Sequence, residues 1–296
     1  MNKNIIIAII AILVLAGGGV YYYTNRTKIV DENKHHDHIT PHATESASTN
    51  TNMDNVAGMD HNQINMSGSG SKEAGTRVIV KNSSLKSGLQ ELSFQLYGTD
   101  GDSWADKDLK ETHTKKMHFI VVSNDFSNYQ HLHPAFSGGV WKVSLNLKGK
   151  TGYQAYVDVD SNEVGAEVLR LPLSVGSVAS TVRVSQNEKA LTKNNINTTI
   201  TGIDDLVIEK ESTITFMLTS DGKSVTPETY LGAKGHVVAL TNDPNVFIHG
   251  HPSEDADAKE VHFAFTFASE GTYTLFAQFQ VNGKVETYPF TVKVAK

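Results

Sequence analysis

The chain has 296 residues, enough for about two ordinary domains with additional segments. It contains no cysteine, which excludes disulfides, thiolate metal sites, iron–sulfur clusters and lipidation at an N-terminal cysteine. The net charge is −6, and residues 31–75 supply −5 of it, because seven acidic residues there outnumber two lysines. No basic stripe is present, which argues against a nucleic-acid partner.

The chain begins with an apolar segment, Asn4–Tyr23, that follows Lys3 and precedes two basic residues. Twenty helical residues rise roughly 30 Å, about the thickness of the hydrocarbon core of a bilayer. We therefore predict a transmembrane helix at about 4–23 within an N-terminal signal-anchor of residues 1–23. A cleaved signal peptide with its cut near Ala16–Gly19 is the alternative, but no clean Ala-x-Ala site supports it. Both predict that most of the protein lies outside the cytoplasm, anchored in the cell membrane or secreted.

Residues 24–75 form an acidic tether rich in Ser, Thr, Asn and Gly, and it ends in a flexible Ser-Gly-Ser-Gly-Ser sequence. With so little apolar surface, the tether is predicted to be disordered. Thioether sulfur and imidazole are copper ligands, so the tether is a candidate for metal capture, with a solvated spacer as the alternative. The candidate ligands there are His35, His36, His38, His42, His61, Met53, Met59 and Met66.

From Thr76 onward, short apolar or alternating segments separated by Gly, Asn, Asp and Ser predict β-strands and no helix. The pattern repeats: Phe94-x-Leu96 before Asp-Gly corresponds to Phe216-x-Leu218 before Asp-Gly. We therefore predict an all-β chain with two tandem antiparallel β-sandwiches of six or seven strands each, at residues 76–180 and 181–296.

Each predicted domain carries the same histidine motif, His-x12-His-x-His-Pro, with the second copy 118 residues after the first. Six of the seventeen positions of the motif match, and the six are the three histidines, an Asn-Asp pair and the proline. Imidazole is the commonest protein ligand of late transition metals. The predicted metal ligands are His118, His131, His133, His236, His249 and His251.

Strand geometry is compatible with a shared site in each triplet. The Asn-Asp pair is typical of a turn, so each motif predicts a hairpin. A loop of two or four residues places His118 opposite His131 or His133, and the alternation of side chains puts all three on one face. The same holds for the second triplet. The spacing alone leaves open whether the two triplets act separately or at one interface.

Three further residues are auxiliary candidates. Asp125 and Asp243 of the turns are candidates to orient a ligand ring from outside the ligand set. Met117 adds a thioether beside His118, although Gly235 replaces it in the second copy. His113 and His262 have no histidine counterpart in the other half, and His262 is expected to face solvent.

The segments Met117–Ser123 and His131–Pro134 with Asp125 between them, and more loosely 235–243 and 249–252, resemble a group of bacterial extracytoplasmic β-sandwich domains described as YtkA-like or FixH-like. The resemblance implies an immunoglobulin-like or cupredoxin-like sandwich. It also implies a link to the handling of copper and other heavy metals. In the second copy, Gly235 and Pro244 depart from the pattern.

Three functions are compatible with these features. The leading hypothesis is a membrane-tethered protein that binds copper, as Cu(I) or Cu(II), and sequesters it or delivers it to another membrane or secreted copper protein. Zinc is the alternative metal. The second hypothesis is a metal-free adhesion or assembly module. The third and weakest is a zinc-dependent hydrolase or lyase, because no general base or nucleophile motif accompanies the histidines.

Overall fold

Strands supply almost all the regular structure of the part of the chain that the computed structural model describes, residues 21–22, 75–81, 85–149, 151–176, 188–252 and 259–296. Within these ranges the single helical element is a 3-10 turn at Asp106–Asp108. No helix in the described residues is long and apolar enough to cross a membrane. The predicted tether and the membrane segment up to residue 20 lie outside the described residues. Tyr21–Tyr22 are extended rather than helical, because they pair with the open edge of a later strand.

Domain 1 contains nine strands within the described residues, and all of their pairings are antiparallel. After β1 (Tyr21–Tyr22), the strands of domain 1 are β2 (Arg77–Val80), β3 (Gly88–Tyr97), β4 (Ser103–Trp104), β5 (Met117–Ser123), β6 (Tyr129–Leu132), β7 (Ala135–Ser137), β8 (Val140–Leu147), β9 (Thr151–Ser161) and β10 (Gly165–Val175). They form one sheet in the order β2-β3-β8-β7, with β4 beside β3, and a second in the order β10-β9-β5-β6.

Domain 2 repeats this plan, again with antiparallel pairing throughout its named strands. Its strands are β11 (Ala190–Lys193), β12 (Ile196–Thr201), β13 (Glu211–Ser220), β14 (Lys223–Val225), β15 (His236–Leu240), β16 (Phe247–Gly250), β17 (Glu260–Thr266), β18 (Gly271–Val281) and β19 (Lys284–Val294). One sheet has the order β11-β12-β13-β14, with β17 beside β13, and the other has β1-β16-β15-β18-β19. The all-β prediction is therefore confirmed. The strands beyond the six or seven predicted are short segments next to turns, such as β4 and β14.

Side-chain alternation gives β5 and its equivalent β15 two different apolar faces. Met117, Phe119 and Val121 of β5 belong to the core of domain 1. Ile120 and Val122, which point the opposite way, belong to a separate buried cluster that also contains residues of domain 2. Sheets with both faces buried have near-continuous apolar strands, and every residue of β5 and β15 is buried.

This separate cluster is the apolar half of the interface between the domains. The β10-β9-β5-β6 sheet of domain 1 and the β16-β15-β18-β19 sheet of domain 2 supply it, and we call these the inner sheets. Tyr129 stacks on Phe276 with ring centroids 4.2 Å apart, and Tyr156 stacks on Phe247 at 4.7 Å. The cluster comprises Ile120, Val122, Tyr156, Val168, Val238, Leu240, Phe247 and Phe276, with Phe126 and Tyr129 packed against it.

Phe276→Ala tests this interface, because Phe276 is 2% exposed and contacts aromatic rings of the other domain. We expect the free energy of unfolding to fall by about 3–5 kcal/mol, the usual cost of deleting a buried phenylalanine ring. Urea denaturation measures the change, with Leu89→Ala as the control because Leu89 is 75% exposed. Equal losses in the two variants would mean that the interface adds no stability.

Candidate metal site

Each histidine motif folds as the predicted hairpin. In domain 1, Ile120 pairs with His131 and Val122 pairs with Tyr129, so the turn between β5 and β6 is even and short. In domain 2, Val238 pairs with His249, which is the same register shifted by 118 residues. Along these ladders the three histidines of each motif share one face of the hairpin. The hairpin prediction is confirmed for both motifs.

The two triplets meet at the polar half of the interface between the domains. His118 and His131 of domain 1 have ring centroids 5.0 and 5.2 Å from that of His249 of domain 2, and 5.2 Å from each other. His236 lies 5.7 Å from His131 across the same interface. The two triplets therefore form one site at the interface between the domains rather than two separate sites. We call it the histidine cluster, and its members are His118, His131, His133, His236, His249 and His251.

The first histidine of each triplet is held by a backbone carbonyl. His118 Nε2 lies 3.0 Å from the carbonyl oxygen of Thr112. His236 Nε2 lies 2.9 Å from that of Tyr230, at the equivalent position of domain 2. A carbonyl accepts and cannot donate, so each Nε2 carries the proton. In a neutral imidazole the other nitrogen then has a free lone pair, here Nδ1 of each ring.

The second histidine of each triplet is held by a side chain of the opposite domain. His131 Nδ1 lies 2.8 Å from Oε1 of Gln278, whose own amide nitrogen donates to Thr287 Oγ1. His249 Nδ1 lies 2.9 Å from Oδ2 of Asp158. Both partners accept, so Nδ1 of each ring carries the proton and Nε2 has the free lone pair.

The inner nitrogens of the cluster therefore face one another without protons between them. His118 Nδ1 and His131 Nε2 are 3.0 Å apart, and the outer hydrogen bonds leave a lone pair on each. His236 Nδ1 and His249 Nε2 are buried with no hydrogen-bond partner, as are His133 Nε2 and both nitrogens of His251. Facing lone pairs repel, and buried polar atoms without partners are costly. A cation among these nitrogens removes both penalties.

Burial also keeps the rings neutral. Desolvation lowers the pKa of His118 and of His236 to about 4 and that of His133 to about 3. It lowers the pKa of His131, His249 and His251 well below the usual range, and the neighbouring imidazoles add to the effect. At neutral pH the cluster thus offers neutral imidazoles, the form that binds metal ions.

Two sets of three nitrogens are close enough to share an ion. His118, His131 and His249 form one set, and His236, His249 and His251 form the other, with the ligand atoms of each set within 4.8 Å of one another. Three histidine ligands suit zinc or copper. A cavity of about 30 Å³ adjoins the sets and reaches Lys116, Asp158, His249 and His251.

Three residues of the site were not predicted from the sequence. His113 stacks on His251 of the other domain, with ring centroids 3.5 Å apart, although its equivalent in domain 2 is Leu231. Asp158 and Gln278 occupy matching positions, opposite His118 and His236 on neighbouring strands. Asp158 and Gln278 are polar residues inside the apolar strands β9 and β18, but so are Asp160 and Gln280, so the sequence pattern does not single them out.

The auxiliary candidates lie elsewhere. Met117 is packed in the core of domain 1, because neighbouring residues of a strand point to opposite faces. At the equivalent Gly235 a Cβ atom would lie 2.6 Å from the ring of Phe279, so the second motif has no room for methionine. Asp125 accepts hydrogen bonds within its turn from Ser123 Oγ and from the backbone nitrogen of Ser127. This turn is at the far end of the hairpin from His118.

The third auxiliary candidate, Asp243, and the unmatched His262 also lie outside the site. Asp243 accepts a hydrogen bond from the backbone nitrogen of Asn245 in its own turn, so neither turn aspartate orients a ligand ring. His262 is half-buried rather than fully exposed and lies on β17, outside the inner sheets, with its Nδ1 2.9 Å from Thr215 Oγ1. The tether candidates lie outside the described residues.

Comparison with known proteins gives a family-model match within domain 2. Residues 190–296 match the model of a family described as a domain of unknown function, DUF8832. No curated protein matches the chain.

Similar solved structures include bacterial adhesins at low identity. FdeC, an adhesin of Escherichia coli, has 15% identity, with 75% of this chain and 65% of that chain covered and a TM-score of 0.23. A 1.5-MDa bacterial ice-binding adhesin has 10% identity, 75% and 66% coverage and a TM-score of 0.23. A Ca²⁺-stabilized adhesin of an Antarctic bacterium has 12% identity, 76% and 50% coverage and a TM-score of 0.23. The chain spans about two-thirds of the length of the first two, and the likeness adds nothing to the architecture that strand pairing establishes.

The low pKa values of the cluster predict a loss of stability in acid when no metal is bound. A histidine whose pKa falls on folding stabilises the native state above its ordinary pKa of 6.5, and this contribution is lost as the pH falls toward the folded value. For His118, with a folded pKa of about 4, the contribution is about 3 kcal/mol. Asp158 has the opposite effect on stability in acid, because burial raises its pKa to about 7. It is a single group, whereas the cluster contains six histidines with lowered pKa values.

Urea denaturation in the presence of a chelator, at pH 7.5 and pH 4.5, measures this loss. We expect a clearly lower midpoint at pH 4.5, and the same difference in His262→Gln, because His262 lies outside the cluster. An unchanged midpoint in the unsubstituted protein would mean that the imidazoles are not held neutral by burial.

Proposed function

We propose that this protein binds a transition-metal ion, and specifically copper, in the histidine cluster between its two β-sandwiches. The observation that carries the proposal is the 3.0 Å approach of His118 Nδ1 to His131 Nε2, with both outer nitrogens committed to acceptors. Two buried lone pairs at this distance call for a cation, and the low pKa of both rings disfavours a proton in that role.

The donor set supports copper ahead of the alternatives. The cluster offers imidazole nitrogens, and the chain has no cysteine for a thiolate ligand. Imidazole suits copper, zinc, iron and nickel, and among the divalent ions copper binds such sites most tightly. Zinc is the alternative ion for the same geometry. A blue-copper electron carrier is disfavoured, because its centre needs a cysteine.

Binding and transfer suit this site better than catalysis. The adjoining cavity, about 30 Å³, is much smaller than the roughly 300–1,000 Å³ of typical small-molecule sites. We propose sequestration or delivery of the ion outside the cytoplasm. In this proposal the N-terminal segment anchors the chain in the membrane and the His- and Met-rich tether captures metal.

The finer fold assignment is part of the same proposal. We place both sandwiches in the immunoglobulin-like or cupredoxin-like class, and the chain near the YtkA-like and FixH-like domains. The antiparallel two-sheet architecture of each domain and the His-x-His-Pro motif at the end of each inner hairpin support the assignment.

A metal-free adhesion or assembly module is the second candidate. Three of the similar solved structures are of adhesins. Adhesion gives no role to inward-facing imidazoles with unpaired nitrogens, whereas metal binding uses such nitrogens as ligands. Metal affinity is therefore the property that separates the two.

A competitive titration with Cu(I), Cu(II) and Zn(II) tests the proposal. The protein is a fragment of residues 76–296, compared with a variant in which all six cluster histidines are alanine and with His131→Ala/His249→Ala. We expect tight copper binding by the fragment, loss in the six-fold variant, and a loss of more than about 100-fold in the double variant, since changes outside the ligand set already cost 10–100-fold.

His262→Ala is the matched control, because it removes an imidazole outside the cluster. Circular dichroism shows whether each variant is folded, and the double variant provides a test if the six-fold variant is not. Absence of binding by the unsubstituted fragment would reject the cluster as a metal site and favour the adhesion module.

A further inference from the structure

The two sets of three nitrogens in the histidine cluster have one residue in common, His249. The first set, His118, His131 and His249, draws on both domains. The second set, His236, His249 and His251, belongs to domain 2 alone. The number of ions that the cluster holds therefore depends on how many nitrogens His249 presents to it.

A neutral imidazole has one lone pair, and Asp158 fixes which nitrogen of His249 carries it. Oδ2 of Asp158 lies 2.9 Å from Nδ1 of His249 and holds the proton there, while Nε2 is buried without a partner. The ring is 4% exposed, so packing restricts its rotation. One lone pair bonds one metal ion, and two ions in the two sets would both need it.

Asp158 differs in charge from its counterpart. Gln278 occupies the matching position on β18 and holds His131 in the same way. Among the described residues, Asp158 is the carboxylate within hydrogen-bonding distance of the cluster. A carboxylate that accepts the N–H of a ligating histidine raises the basicity of the ring and fixes its orientation. His249 is therefore the strongest single donor of the cluster.

We propose that Asp158 is a positioning residue that fixes Nε2 as the metal-binding nitrogen of His249, and that the two overlapping sets, which share this one lone pair, hold a single ion between the domains. This inference rests on the metal-binding function proposed above. It adds the stoichiometry of the site and the residue that orients the shared ligand, and it makes the ion a link between the two sandwiches.

The test is equilibrium binding of Cu(II) to the full-length chain and to variants that share its tether. The variant with all six cluster histidines changed to alanine gives the contribution of the tether, and the excess of the unsubstituted protein over it gives the occupancy of the cluster. We expect an excess of one Cu(II) per chain. His249→Ala is expected to remove this excess, because it breaks both sets.

Asp158→Asn isolates the charge, because asparagine retains an oxygen that accepts the His249 proton. We expect unchanged stoichiometry, an affinity lower by about 10–100-fold and altered nitrogen couplings in the electron paramagnetic resonance spectrum of bound Cu(II). Asp160→Asn is the matched control, since Asp160 lies two residues along β9 and pairs with Lys110 at 3.1 Å. It is expected to match the unsubstituted protein in all three measurements.

The outcomes distinguish the failure of the single shared ion from the failure of metal binding itself. An excess of two Cu(II) ions per chain, or retention of the tight ion in His249→Ala, would overturn the single shared ion and leave the metal-binding function standing. Equal behaviour of Asp158→Asn and Asp160→Asn would remove the positioning role. No excess over the six-fold variant would instead reject the proposed function, and this inference with it.

Discussion

The burial of neutral imidazoles between two packed sheets is the constraint on which the rest of this structure depends. A sheet-to-sheet interface excludes water, and each polar atom inside it needs a partner. The outer nitrogens have partners in carbonyls and in side chains of the opposite domain. The inner nitrogens do not. Five of the buried side-chain atoms without partners in the described residues thus lie in the cluster, where a metal ion can bind.

The two halves of the interface have different roles. One half is aromatic and aliphatic and holds the domains together. The other half carries the histidines, and alternate residues of the same strands supply both, as Ile120 and His118 do on β5. The apolar half fixes the separation of the inner sheets, so the imidazoles of the two domains are brought within reach of one another before any ion binds.

The near-symmetry of the two domains explains both the shared features and the exceptions. The carbonyls that hold His118 and His236, and the cross-domain bonds of His131 and His249, are related by the repeat. The exceptions are Asp158 against Gln278, and His113 against Leu231. Asp158 adds a carboxylate to one side only, and His113 adds an imidazole to one side only, so the cluster has two similar halves and a preferred ligand.

Short-range physics determined much of this protein at the level of sequence. Alternation and turn residues were enough to predict an all-β chain, two repeated domains and hairpins that place His118, His131 and His133 on one face. The membrane anchor and the tether remain predictions of the same kind. Only the tertiary structure decided that the two triplets form one cluster, that Asp158 and Gln278 hold histidines of the opposite domain, and that Met117 belongs to a core. These depend on which faces of the two sandwiches pack together, a choice set by the summed burial of residues far apart in the chain, which no local pattern encodes.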